Sequence, residues 1–215
     1  MNQEESHMEK RFCFPVGCII LCAWVVLLSG CGHTQPARFY LLQSMPGMEK
    51  DKHAAPTGQS LAICVGPVML PKYLDRPHIV TTTKTSELKL AEFDRWAEPL
   101  RDNFSRVLTE NLSKALGTDR VTVFPWGKTQ FFDYQILVTV VRFDGELGAD
   151  TELSARWSVF GEWGKKELLT RKSDLSEPTG APGYEALVSA QSRVIAGLSK
   201  EIAGAITALG EGKNP

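Results

Sequence analysis

Residues 134–143 read YQILVTVVRF, and the placement of their apolar side chains decides the fold. Successive side chains of a strand point to opposite faces. Tyr134, Ile136, Val138 and Val140 fall on one face, while Leu137, Val141 and Phe143 fall on the other. A segment apolar on both faces belongs in the middle of a sheet that is covered on both sides. The pattern predicts a central strand from Tyr134 to Phe143, and the rest of the chain must supply its neighbours and its cover.

Downstream, the pattern changes to alternation. Leu153, Ala155, Trp157, Val159 and Trp163 point one way and Glu152, Ser154, Arg156, Ser158 and Glu162 the other, which predicts a strand with one solvated face. ELLTRKSDLS (167–176) pairs with it across a turn at Gly164 and Lys165. Upstream, ARFYLL (37–42), SLAICVGPV (60–68), HIVTTT (78–83), ELKLA (87–91) and RVTVFP (120–125) read as strands, with a hairpin over Lys84 to Ser86. The long polar loop at 43–59 is of the kind that is functional or mobile.

Two helical patterns provide the cover. From Pro99 to Leu116 the apolar residues Leu100, Phe104, Val107, Leu108, Leu112, Ala115 and Leu116 form one stripe, with proline at the first turn and Gly117 just past the end. A second helix starts near Gly183 and carries Tyr184, Leu187, Val188, Val194, Ile195, Leu198, Ile202, Ile206 and Leu209 at helical spacing before Gly210. The expected fold class is α/β, a sandwich built on a mixed sheet flanked by two main helices.

The N-terminus is a different kind of segment. From Phe12 to Leu28 the sequence is almost wholly apolar, preceded by Lys10 and Arg11 and followed by LSGC (28–31). The run is short for a spanning helix, which needs about 20 apolar residues. A basic start, an apolar middle and small residues at the end make a signal peptide over residues 1–30, with Met8 an alternative start that would remove Glu4 and Glu5. LSGC at the end of the apolar run resembles the lipobox of bacterial lipoproteins, whose cysteine is acylated after cleavage just before it. That resemblance makes Cys31 the lipidated residue and 31–215 a single mature domain. The alternatives are a buried helix ending in a free thiol, and an ordinary signal followed by a disulfide cysteine. In such lipoproteins an aspartate after the cysteine marks inner-membrane retention, whereas this chain has Gly32, which points to the outer membrane.

Cleavage before Cys31 removes three acidic and two basic residues, leaving 22 of each from 25 and 24, a formally neutral domain. Neutrality without a basic run argues against nucleic acid as a partner. Of the five cysteines, Cys13, Cys18 and Cys22 leave with the signal, so only Cys64 remains beside Cys31. Set in LAICV, Cys64 reads as a small buried hydrophobe.

The blocks VGPVMLPKYLDRPHIVTTT and LKLAEFDRWAEPLRDNFSRVLTENLSKALGTDRVTVFPW carry a resemblance over most of the mature chain. They are similar to the auxiliary lipoproteins of ABC-type and MCE-type lipid transport, the PqiC/YmbA family. The resemblance implies a three-layer sandwich and an outer-membrane lipoprotein facing the periplasm. It also implies a partner, an inner-membrane-anchored MCE protein whose tunnel carries lipids between the membranes. It brings no catalytic residue and calls for no cofactor.

The residues themselves offer little enzyme chemistry. His33, His53 and His78 are not spaced as metal ligands, and the chain has no G-x-S-x-G elbow, P-loop or dinucleotide fingerprint. Asp75 and His78 have the spacing of an orienting pair, but Asp75-Arg76-Pro77 is also a turn sequence in which the aspartate pairs locally. Tyr73, Leu74, Arg76, Phe93, Arg95 and Trp96 combine aromatics with arginine in loops beside prolines, a composition enriched at interfaces. The other reading of Phe93 and Trp96 is a lid folded back on the core. Two function classes remain: a non-enzymatic adaptor between tunnel and outer membrane, or a carrier that itself binds a lipid or small apolar ligand. A protein serving a ring of tunnel subunits is further expected to form a ring-like homo-oligomer through the 71–77 loop and the Phe93–Trp96 segment.

Overall fold

The computed structural model describes residues 35–45, 61–83, 87–125 and 131–212. The signal peptide, Cys31, most of the 43–59 loop and the Lys84–Ser86 turn lie outside the described residues. In chain order the elements are β1 (Arg38–Tyr40), β2 (Ile63–Met69), β3 (His78–Thr82), β4 (Leu88–Trp96), α1 (Leu100–Leu116), β5 (Val121–Val123), β6 (Tyr134–Gly145), β7 (Asp150–Gly161), β8 (Lys166–Pro178) and α2 (Tyr184–Glu211). They form an α/β fold with two mixed sheets, one of five strands ordered β5-β2-β6-β7-β8 and one of three ordered β1-β4-β3. β2 runs parallel to β5 and β6, and β7 and β8 continue antiparallel. In the smaller sheet β1 is parallel and β3 antiparallel to β4.

β6 is central, as its sequence implied, but it is not covered on both sides. Tyr134, Ile136, Val138 and Val140 are buried, while Val141 on the other side is 57% exposed and Leu137 is half-buried. Phe143 nonetheless sits in the core, because the pairing with β7 slips between Val140 and Arg142. A bulge inserts one residue and reverses the alternation beyond it. Phe143 therefore continues the buried face of Tyr134 to Val140, while Leu137 and Val141 stay on the other face. Phe143 meets Phe104 of α1 edge-on, with ring centroids 5.5 Å apart. The expected α/β class, a mixed sheet with two main helices, is what the structure has, and both helices lie on the same face of the five-stranded sheet. α1 packs on β2 and β5, α2 packs on β6, β7 and β8, and the helices pack on each other. One contiguous core results.

The helix ends obey local chemistry. Gly117 takes the left-handed conformation (φ 61°) and its N–H donates to the carbonyl of Ser113, closing α1. Gly66 sits where β2 slips register against β6. Its φ is 116°, and a Cβ there would lie 2.8 Å from Cβ of Phe124, so only glycine fits.

Three further expectations need correction. ELKLA is only the start of β4, which continues to Trp96, so Phe93, Arg95 and Trp96 are strand residues and not loop residues. The alternation puts Trp163 on the inner face of β7, but that strand ends at Gly161, and Glu162 and Trp163 take positive φ in the turn. Trp163 is 60% exposed and stacks edge-on against the exposed ring of Phe131 at 5.6 Å. The final helix passes Gly210 and ends at Glu211.

Cys64 faces away from the main core into a small buried cluster with Ala62 and Phe132. Its thiol lies 3.3 Å from the Thr122 hydroxyl, and burial pushes its pKa up. The thiolate is the reactive form, so Cys64 should resist a thiol reagent in the native protein and react once the protein is denatured. Thiol titration of the mature protein under denaturing conditions should give one thiol per chain if Cys31 is acylated, and two if it is free.

Candidate functional site

The residues singled out in sequence meet at the junction of the two sheets, where the Pro71–Pro77 loop joins β2 to β3. The loop turns tightly: the Leu74 N–H donates to Pro71 O, that of Asp75 to Lys72 O and that of Arg76 to Leu74 O. Beneath it Asp144 of β6 is only 2% exposed. Its carboxylate accepts from the Tyr73 hydroxyl at 2.8 Å, the Thr82 hydroxyl at 3.2 Å and Arg142 Nε at 2.9 Å. Arg142 also pairs with Glu152. Burial first, then the bond to Asp144, holds the Tyr73 phenol well above its ordinary pKa. It remains a protonated donor across the physiological range. At the front of the loop Asp75 takes the guanidinium of Arg101 at 2.5 Å.

That pair settles the local role of Asp75, which is engaged with α1 and not with His78. Leu74, 2% exposed, and Trp96, 5% exposed, belong to the core. Both side chains turn inward and offer little surface for docking. Tyr73, Phe93 and Arg95 are half-buried and Arg76 is exposed. The surface left for contact is Arg76 with the outer parts of Tyr73, Phe93 and Arg95. Among the described residues no group of three His, Cys, Asp or Glu is placed to hold a metal ion.

A second buried carboxylate ties the N-terminal strand to this junction. Asp94 of β4 is 4% exposed. It takes two bonds from Arg38, Nε at 2.8 Å and an Nη at 2.9 Å, and a third from the Tyr40 hydroxyl at 2.8 Å. Such a two-pronged guanidinium contact fixes orientation as well as charge. Tyr40 also stands 6.5 Å from the ring of Tyr184 at the start of α2.

The path of the chain just after β1 is not legible in the sequence pattern. Leu42 to Met45 run between the helices on a ladder of side chains. Asn103 accepts from Leu42 N at 2.7 Å and donates back to Leu42 O at 3.3 Å. Ser192 accepts from Gln43 N at 3.1 Å and Asn111 from Met45 N at 3.2 Å. The signal that could have found this ladder is polar residues inside apolar helix stripes: Asn103, Asn111, Gln191 and Ser192 are all buried, and buried polar groups need partners.

This geometry matches known proteins. Residues 40–203 match the family model of the ABC-type transport auxiliary lipoprotein component. The chain belongs to that family. The match runs from Tyr40 through the Asp94 and Asp144 junctions into α2. Two solved structures support the fold of this transport auxiliary lipoprotein. One, an uncharacterized protein, is 24% identical with a TM-score of 0.62, covering 80% of this chain and 99% of its own. The other, a Xanthomonas campestris protein assigned to the DUF330 family model, is 16% identical with a TM-score of 0.65, covering 82% and 100%. Among curated proteins no relative matches. A transport auxiliary lipoprotein is not an enzyme class. Among the described residues no helix is long and apolar enough to cross a membrane.

Proposed function

We propose that this chain is an outer-membrane lipoprotein, anchored by a lipidated Cys31, that faces the periplasm and docks the tunnel of an MCE-type lipid transport system to the outer membrane. The observation that carries the reading is the Pro71–Pro77 loop. It is pinned from behind by the Tyr73 to Asp144 bond, from below by buried Leu74 and in front by the Asp75 to Arg101 pair, yet it leaves Arg76 exposed. An exposed arginine on a braced loop loses little backbone freedom on docking, which suits it to an interface. Family membership supports a role auxiliary to transport, and Gly32 after Cys31 supports the outer membrane. The apolar faces of both helices and of the large sheet are consumed in one core, which favours an adaptor over a lipid carrier.

The anchor is tested by Cys31→Ser, which replaces the thiol that would be acylated by a hydroxyl, a much weaker nucleophile than a thiolate. Metabolic labelling with a fatty-acid analogue should disappear, and the uncut precursor should accumulate. Undiminished labelling would sink the lipoprotein reading of Cys31.

The docking surface also bears the proposed ring-like homo-oligomer. Arg76→Glu reverses a charge without touching the core. It should reduce assembly in light scattering and weaken co-capture of the MCE partner, while leaving the circular-dichroism melting curve unchanged. A monomer for the unmutated protein at micromolar concentration would remove the ring and leave a monomeric adaptor.

A further inference from the structure

β1 carries an apolar face that the fold leaves uncovered. From Phe39 to Leu42 burial alternates: Tyr40 and Leu42 turn inward, while Phe39 is 64% and Leu41 43% exposed. In the parallel register Phe39 lies beside Arg95 of β4. Among the described residues the buried Nε of Arg95 has no hydrogen-bond partner. Phe93, two residues before Arg95, is half-buried. Two exposed apolar side chains beside a half-buried guanidinium suit a ligand that is apolar in one part and carries anionic oxygen in the other.

Chain length identifies it. Only six residues lie between Cys31 and Arg38, and seven Cα steps span at most about 25 Å when fully extended. If Cys31 is acylated, this strand cannot be farther than that from the lipid surface, whereas other exposed apolar groups are under no such limit. Trp163 is one: β8 runs its 13 residues from the Trp163 turn to Pro178, just ahead of Tyr184, against which Tyr40 packs. At about 3.3 Å per residue that separates Trp163 from the Pro178 end of β8 by roughly 40 Å.

We propose that the face formed by Phe39, Leu41, Phe93 and Arg95 rests on the phospholipid bilayer that holds the Cys31 anchor. Phe39 and Leu41 enter the boundary between headgroups and acyl chains, as the apolar face of an interfacial segment does. The Arg95 guanidinium takes a phosphate oxygen. The Asp94 clamp on Arg38 and Tyr40 makes the contact rigid, so it fixes the orientation of the domain on the membrane as well as its distance. Arg76 is then held at a set height above the surface. This inference rests on the proposed acylation of Cys31 and adds to it a defined membrane-facing side.

The experiment uses the full mature lipoprotein purified from membranes and reconstituted into vesicles of phosphatidylethanolamine and phosphatidylglycerol, with and without brominated acyl chains. An environment-sensitive fluorophore is placed at Leu41→Cys or, as the far-end control, at Trp163→Cys; buried Cys64 stays unlabelled. The label at 41 should shift to the blue and lose at least half its emission to brominated lipid, the label at 163 should do neither, and Phe39→Glu or Arg95→Glu should reverse the effect at 41. If the protein floats with the vesicles but the label at 41 is no more quenched than that at 163, the membrane-facing side is wrong and the anchor stands. A blue shift without quenching by brominated lipid means that a second copy or another protein covers the face, which also overturns the proposal. A protein that does not float and has the mass of an unacylated chain overturns the anchor, and the membrane-facing side with it.

Discussion

Phe104→Ala should destabilise the domain by about 3–5 kcal/mol, the range for removing a large aromatic side chain from a packed core. Phe104 is fully buried in the second turn of α1 and packs edge-on with Phe143 beyond the β6 bulge. Three losses combine: the transfer of its apolar surface out of water, the cavity left behind, and the aromatic pair itself. The cavity would open between α1 and the sheet at the level of the neighbouring Asn103, whose side chain holds Leu42. The loss should therefore extend beyond the melting curve. Hydrogen exchange should show Leu42 and Gln43 losing protection before the strands of the large sheet do. A domain stability of about 5–15 kcal/mol leaves the variant folded at low temperature but clearly shifted in chemical denaturation. A change under about 1 kcal/mol, well below that range, would mean that α1 is not packed on the sheet as described.

The same contact shows why the sequence could be read so far and no farther. Helix stripes and the alternation of β7 were legible because each keeps one period over many residues, and Leu153, Ala155, Trp157 and Val159 are all buried as that period requires. β6 misled because its period breaks. Val140 and Phe143 share a face only through a bulge, and a reading that keeps strict alternation must assign them to opposite faces. β4 was cut short for the same reason. Its pairing with β3 slips between His78 and Val80, so Leu88, Leu90 and Glu92 are exposed while Asp94 and Trp96 are buried. The turn placed at Gly164 and Lys165 begins two residues earlier, because Glu162 and Trp163 adopt positive φ without glycine's freedom, which composition does not announce.

The candidate site was legible in composition and not in geometry. Prolines at 71 and 77 marked a braced loop, and aromatics with arginine marked a surface, but which side chains point outward depends on tertiary partners. Leu74 and Trp96 went into the core. Asp94 and Asp144, the two carboxylates that organise the junction, carried no local signal, since their partners are far along the chain: Arg38 and Tyr40 for one, Tyr73 and Thr82 for the other.

Asp144→Ala is the substitution that should separate the docking loop from the fold. Removing the carboxylate leaves the Tyr73 hydroxyl, the Thr82 hydroxyl and Arg142 Nε without their shared acceptor. An unmet buried donor costs about 1–3 kcal/mol, and a buried ion pair broken on one side about 3–5. Arg142 is 42% exposed and can turn to water while keeping Glu152, so the lower part of that range applies, about 2–3 kcal/mol in all. Because Asp144 faces away from the helices, the main core with Phe104, Trp157 and Ile195 should stay intact. What should fail is the loop: hydrogen exchange at Leu74, Asp75 and Arg76 should rise by about an order of magnitude or more, with the strands of the large sheet little changed. Tyr73→Phe removes one bond and keeps the ring, so it should give a milder version, about 1 kcal/mol. If the rigid loop presents Arg76 to a partner, capture of that partner should fall modestly in Tyr73→Phe and further in Asp144→Ala, tracking loop protection and not melting temperature. Capture unaffected by Asp144→Ala, with the loop shown to be mobile, would move the docking surface away from residues 71–77.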